Sequence, residues 1–269
     1  MGAWGPGLYS DDFALDLRTT VAAVCRLPID GAEIVRLLCD LEPTTVEDED
    51  YTTFWLVVAD QLQRRGIDSE AQARAIAIID DGSNLAILEE LGMDPRDLKK
   101  RQRNLEKMRG ALSDPPPEKQ RKTLKKPQVL LMERGQIYAY RVDSRGNCVN
   151  PYFTDATRPE FTPTRWATFL VVNTGHALGY LAWYELATGR RPTRRKPTLK
   201  AASAAIDMKK RGIGTLTRLH SARMQLELLG SVEIARVPEP AQDHTIRVAA
   251  SDIDIANLLS RWAPTGRFS

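Results

Sequence analysis

His176, His220 and His244 are the chain's only histidines. None has a Cys, an Asp or a second His two to four residues away, the spacing a metal site uses. Cys25, Cys39 and Cys148 include no C-x-x-C pair and cannot build a disulfide framework, so no zinc ribbon or thiol redox centre is indicated and a reducing cytosol is expected. The adjacent carboxylates Asp11-Asp12, Asp80-Asp81 and Glu89-Glu90 diverge by about 100° on a helix, so none forms an acid/base pair. Glu47 to Asp50 precede a helical stretch, where acidic residues favour the positive end of the dipole. Gly5-Pro6-Gly7 and Gly212-Ile213-Gly214 read as turn or cap glycines, because no strand precedes the one and no third glycine follows the other. The chain contains no phosphate loop, nucleophile elbow, H-E-x-x-H helix or dinucleotide fingerprint. The residues therefore nominate no catalytic group, no metal ligand and no cofactor. An unrecognised site around His176 with Tyr138 or Tyr180 would need a concave pocket holding a titratable group.

Charge is more informative than motif. The 38 Lys+Arg and 35 Asp+Glu sum to +3, yet residues 1–112 hold 13 against 21 and residues 113–269 hold 25 against 14. A balance of −8 thus precedes a balance of +11. Three clusters make the second half basic. One is Lys119, Arg121, Lys122, Lys125 and Lys126; the second is Arg190, Arg191, Arg194, Arg195 and Lys196; the third is Lys209, Lys210 and Arg211. Such runs are ordinarily solvated loops, but they can also neutralise phosphates or meet an acidic surface. No aromatic lies within them to stack a base, so a single-strand channel is not expected. The binding candidates are accordingly Arg190, Arg191, Arg194, Arg195, Lys196, Lys209, Lys210 and Arg211.

The elements that must carry these residues follow from hydrophobic spacing. Ile34, Leu37, Leu38 and Leu41 keep the helical i, i+3, i+4, i+7 stripe, as do Tyr51, Phe54, Trp55, Val58 and Leu62, and then Leu98, Leu105, Met108 and Leu112. Asp11, Asp30 and Asp94 stand at N-cap positions, and Gly66 and Gly92 where helices stop. Residues 1–112 read as a domain of about six helices. Ser113 to Pro127, with four prolines and almost no apolar residue, reads as an exposed linker.

From residue 128 the period shortens. Gln136–Val142 is aromatic and β-branched and runs into the turn-rich Asp143–Asn147. Trp166–Val172 and Ala177–Tyr184 read as a hairpin turning at Asn173–His176, its strands too apolar for a sheet with one wet face. Thr198–Asp207 and Ile213–Leu229 follow helical spacing, with Gly230 as a stop and Val232–Val237 as a strand. Ser251 or Asp252 caps a last helix bearing Ile255, Leu258, Leu259 and Trp262. The expected class is α+β: an all-α domain (1–112), a linker (113–127), and a small antiparallel sheet or partial barrel with flanking helices (128–269). The apolar fraction of 42% suffices for a core, and no apolar run approaches the roughly 20 residues of a membrane span. A soluble, cytoplasmic protein is expected.

Two resemblances add to this reading. Trp4, Gly5, Gly7, Tyr9, Asp11, Asp12, Ala14 and Asp16 resemble the opening of a bacterial domain-of-unknown-function family that begins with a tryptophan-glycine motif followed by an aromatic and an acidic pair, and continues as a helical domain. The pattern makes sense as a latch, with Trp4 and Tyr9 packed on the helices, the glycines turning and Asp11 or Asp12 capping the first helix. Glu133–Val142 with Gly175–Ala182 resembles, with Gln136 where Asp is usual, a barrel-like immunity-protein family of bacterial polymorphic-toxin systems. That resemblance implies a small β-barrel with a protein partner, a toxin, and no catalytic residues. The expectation is a non-catalytic macromolecule-binding protein of the toxin-neutralising kind. Its acidic helical surface would engage a basic toxin, or dock on the chain's own basic half. The alternative is a nucleic-acid-binding or regulatory protein using the basic C-terminal half.

Overall fold

A computed structural model of the chain describes residues 5–118, 121–152, 161–235, 237–251 and 253–262. Trp4, Lys119 and Asp252 lie outside the described residues. The chain forms two compact units, Met1–Lys125 and Lys126–Ser269.

The first unit holds α1 (Asp12–Val24), α2 (Gly31–Leu41), α3 (Tyr51–Gln63), α4 (Glu70–Asp81), α5 (Ser83–Glu90) and α6 (Pro95–Ser113). Their starts are set chemically. Asp11 accepts from the Ala14 N–H, Asp30 forms a reciprocal capping box with Glu33, and Asp94 accepts from the Arg96 N–H ahead of Pro95. Gly66 and Gly92 end helices at φ 69° and 83°. In each case the glycine N–H returns to a carbonyl three residues back and the next N–H to one five back, the Schellman arrangement. α3 is the centre of the unit, buried from Thr52 to Ala59 on every side, whereas its sequence shows only one stripe. The glycine-rich opening lies along α6, where Asn104 and Arg101 donate to the carbonyls of Pro6 and Gly7. Tyr9 donates to Asp60 of α3 and lies under the Arg18 guanidinium. The proline-rich segment is tied down as well: Arg121 donates to the carbonyls of Leu27 and Ile29, and Leu124 to that of Arg26.

The second unit is an open five-stranded antiparallel sheet in the order β4-β3-β2-β1-β5, so the fold class is α+β. Its strands are β1 (Gln136–Val142), β2 (Arg165–Ala177), β3 (Leu181–Gly189), β4 (Ile206–Gly214) and β5 (Glu227–Ser231). α7 (Leu199–Ala205), α8 (Arg218–Arg223), α9 (Gln242–Ala250) and α10 (Ile255–Arg261) complete it. One face buries Tyr140, Phe169, Tyr184 and Leu186 against Leu216, Met224, Ile255 and Leu259. The other buries Ile137, Leu170, Val172 and Ala187 against Ala202 of α7 and Val232, Ile234 and Val237. Cover on both faces explains why β3 is buried from Leu181 to Thr188 without polar alternation.

Four expectations change. The β2–β3 hairpin turns at Leu178 and Gly179, both at positive φ (50° and 71°), and not at Asn173–His176. β2 continues through those four residues by means of a bulge after Val171, which brings Asn173 beside Glu185. Ile213–Leu229 is not one helix. Ile213 and Gly214 end β4, Thr217 caps the six-residue α8, Gln225 at φ 52° terminates it, and Glu227 opens β5. The apolar stripe misled because only Leu216 and Met224 are buried, while Leu219 and Leu228 are exposed. The described residues of Val232–Val237 pack on the sheet without joining it, and the cap of α10 is Asp254, whose carboxylate accepts from the Asn257 N–H. Ser251 instead ends α9.

Candidate functional site

The two C-terminal cationic clusters converge on one edge of the second unit. Arg190 begins the loop leaving β3, and Lys209 to Arg211 lie on the edge strand β4. Between the pairs Ala187↔Arg211 and Gly189↔Ile206, β3 advances two residues while β4 advances five, so Asp207–Lys210 bows out of the ladder. Arg190 and Lys210 both line a cavity of about 230 Å³, together with Asp207, Thr188, Pro192 and Trp262. That volume is below the roughly 300 Å³ at which small-molecule sites begin, so it is a notch for one side chain or one anionic group.

The loop is held firmly. The Arg190 N–H donates to the Ala205 carbonyl, Thr193 and Trp166 exchange two backbone hydrogen bonds, and the Thr193 hydroxyl donates to the Arg195 carbonyl. Pro192 and Pro197 fix their own φ, and Thr198 closes the loop by capping α7. All eight nominated cations are exposed. Two are already engaged: Lys196 pairs with Glu227 and lies over the Trp166 ring, whose neighbour is the Arg141 guanidinium, while Arg211 sits 3.2 Å from Glu185. Lys210 donates to the Trp262 carbonyl. Among the described residues Arg190, Arg191, Arg194, Arg195, Lys209 and Lys210 form no ion pair. Binding a partner through a loop already ordered loses little conformational entropy.

The edge position also has a structural meaning. An unpaired strand edge invites pairing with another chain, and lysines on it oppose that. Lys209 and Lys210 serve this purpose in any case; the loop cations do not, since no ladder runs through them.

Of the remaining sequence candidates, His176 is in β2 opposite Ala182, its Nε2 2.6 Å from the Gln128 carbonyl. Tyr138 stacks on Phe169 and donates to Gln136. Because Phe169 and His176 are seven positions apart on one strand, roughly 20 Å separates the pair, and they share no site. A pairing missed by the sequence is His220 with Asp254: Nδ1 and Oδ2 are 2.9 Å apart, both side chains largely buried, with the Tyr152 ring edge-on to the imidazole. The partners are 34 positions apart in α8 and before α10, a separation no motif encodes. Asp254 also caps α10 through its other carboxylate oxygen, while Oδ2 and His220 Nδ1 meet without forming a hydrogen bond. Among the described residues no three His, Cys, Asp or Glu side chains converge as a metal site, and no helix is long and apolar enough to cross a membrane.

This defines a two-unit α+β chain with a pinned cationic rim on an antiparallel sheet. Compared with known proteins, it matches no protein-family model, no curated protein and no solved structure.

Proposed function

We propose that the chain is a non-catalytic macromolecule-binding protein, and that its second unit docks on an acidic surface of a protein partner in the manner of a toxin-neutralising immunity protein. The observation that carries the reading is the set of six exposed, unpaired cations on a pinned loop and a bowed edge strand. Complementary fields of this kind accelerate encounter and fix orientation. The units remain oppositely charged at their structural boundary, with 17 Lys+Arg and 23 Asp+Glu in residues 1–125 against 21 and 12 in residues 126–269. A protein partner is favoured over nucleic acid because the rim offers neither an unengaged aromatic within the cationic loop to stack a base nor a helix long enough to read a groove. Trp166 of the rim already lies against Arg141 and Lys196, and α8 has six residues, too short for a recognition helix. The resemblance of Glu133–Val142 and Gly175–Ala182 to immunity proteins supports a toxin as the partner.

The test is co-expression of the full chain with the product of the neighbouring reading frame, read as growth rescue and as a stoichiometric complex. Arg190→Glu/Arg194→Glu/Arg195→Glu is expected to abolish rescue while leaving the melting temperature within a degree or two. No rescue and no complex overturn the proposal. So does salt-dependent binding to a 20-base-pair duplex with a log-log slope of about −5, the value for six neutralised phosphates, which would establish the nucleic-acid reading instead.

A further inference from the structure

A cavity of about 510 Å³ in the first unit lies between the N-terminal segment, the end of α3 and α6. Its walls are mostly carbon, from Leu8, Leu105, Met108 and Leu112. Arg101 of α6 also lines it and is only 3% exposed. Its Nε donates to Asn84 Oδ1 (3.0 Å) and its Nη1 to the Gly7 carbonyl (2.8 Å), both neutral acceptors. Among the described residues no carboxylate is within ion-pair reach of it, and Nη2 has no acceptor. Burial lowers the guanidinium pKa to about 10, while the more distant charge of Asp11 pushes it up, so the group stays cationic at neutral pH. A buried charge without a counter-charge is expensive to maintain, and a guanidinium presents a planar fork suited to a carboxylate. The one carboxylate lining the cavity, Asp60, is already satisfied by Arg64 at 2.9 Å and by the Tyr9 hydroxyl, while Lys107 adds a second cation without an ion pair.

We infer that this cavity binds an amphiphilic monocarboxylate of the fatty-acid class, its carboxylate on Arg101 and its chain along Leu105, Met108 and Leu112. At roughly 30 Å³ per heavy atom the space holds about 17 atoms, which matches a medium-length acyl chain and excludes larger cofactors. A single buried guanidinium suits one carboxylate and not the several phosphates of a nucleotide. The site lies wholly within the first unit and is independent of the rim on the second.

The test is isothermal titration of the full chain with sodium dodecanoate below its micelle concentration, beside dodecanol and dodecyltrimethylammonium. Saturable one-to-one binding of dodecanoate is expected, with dodecanol at least about tenfold weaker, the lower range for losing a charge-assisted hydrogen bond, and no binding of the cation. Met108→Trp narrows the cavity along the path of the chain without touching the hydrogen bonds of Arg101 and should weaken binding several-fold with the melting temperature unchanged. Arg101→Lys keeps the charge but loses the fork, and should weaken dodecanoate and leave dodecanol unaltered. Equal affinity for acid and alcohol, affinity unaltered by Met108→Trp, or no binding at about 1 mM would overturn the inference.

Discussion

Removing the Arg211 guanidinium should harm the fold and not the rim, which makes it the sharpest check on how the eight cations divide. Glu185 is 7% exposed in the middle of β3. Its carboxylate is held by Asn173 Nδ2 at 2.7 Å and by Arg211 at 3.2 Å across to the edge strand. Deleting one member of a well-buried pair costs about 3–5 kcal/mol, but Asn173 stays in place and the Arg211 side chain is 34% exposed, so a loss of about 2 kcal/mol is expected for Arg211→Gln. For a unit of this size that is a fall of roughly 6 °C in the melting temperature. Arg191→Gln, which removes an exposed cation with no ion pair, should stay within about 0.5 kcal/mol of the parent. Pairing Arg211→Gln with Glu185→Gln removes the unpaired charge and should recover most of the loss. Urea unfolding of the full chain followed by hydrogen exchange on β3 and β4 peptides reads all four proteins. If Arg211→Gln matches Arg191→Gln in stability, Arg211 is as free as the loop cations and this division of roles is wrong.

Three other substitutions probe what positions the rim and the helical unit. Tyr184 is fully buried and its hydroxyl accepts from the Leu131 N–H at 2.7 Å, so Tyr184→Phe orphans that donor and should cost about 1–2 kcal/mol by chemical denaturation. A Cβ at Gly214 would stand 2.9 Å from Leu258 Cδ1 and 3.2 Å from the backbone of Asp254 and Ile255, so Gly214→Ala should push α10 off β4 and cost about 1–3 kcal/mol, read as a drop in urea midpoint. Burial, then the neighbouring Glu49, Asp11 and Asp48, raise the carboxyl pKa of Asp50 above its ordinary value. Folding therefore favours the protonated form, and the penalty it carries at neutral pH disappears as pH falls below the unfolded value. Asp50→Asn should be more stable than the parent at pH 7, with the gap closing towards pH 3.5; a gap independent of pH would exclude this cause.

The helical unit was legible because its signals are local. Asp11, Asp30 and Asp94 cap where side-chain chemistry requires, and Gly66 and Gly92 stop where a left-handed residue is needed. The sheet unit was legible in class but not in detail, because its decisive facts are pairings between distant residues. The 3.6-residue spacing from Leu216 to Leu228 looked helical, yet it spans a turn, a six-residue helix and a strand whose burial comes from different neighbours. His176 looked like a turn residue because Asn-Thr-Gly-His has turn composition, but the bulge after Val171 absorbs the irregularity and the strand continues. The contact of His220 with Asp254, the buried guanidinium of Arg101 and the neutralisation of Lys196 and Arg211 each depend on partners 17 or more positions away, which no local pattern contains.

The same distinction decides what the charge arithmetic can mean. Counted by sequence, Lys209, Lys210 and Arg211 are equivalent members of one cluster. In the fold Arg211 answers a buried carboxylate and Lys210 a carbonyl at the end of α10, while Lys209 guards a bowed edge. Edge protection alone would account for cations on β4, since solubility requires only that the edge be charged. It does not account for four arginines on a loop fixed by two prolines and a two-way bridge to Trp166, because a loop needed only for solvation gains nothing from being held. Rigid presentation of unpaired charge is the feature that a binding role explains and edge protection does not. Relaxing the loop without altering its charge therefore separates the two. Pro192→Gly/Pro197→Gly should leave solubility intact and weaken partner capture by roughly tenfold, since two freed backbone positions cost about 1–2 kcal/mol to reorder. Unchanged capture by that variant would return the loop to the role of a solvated surface.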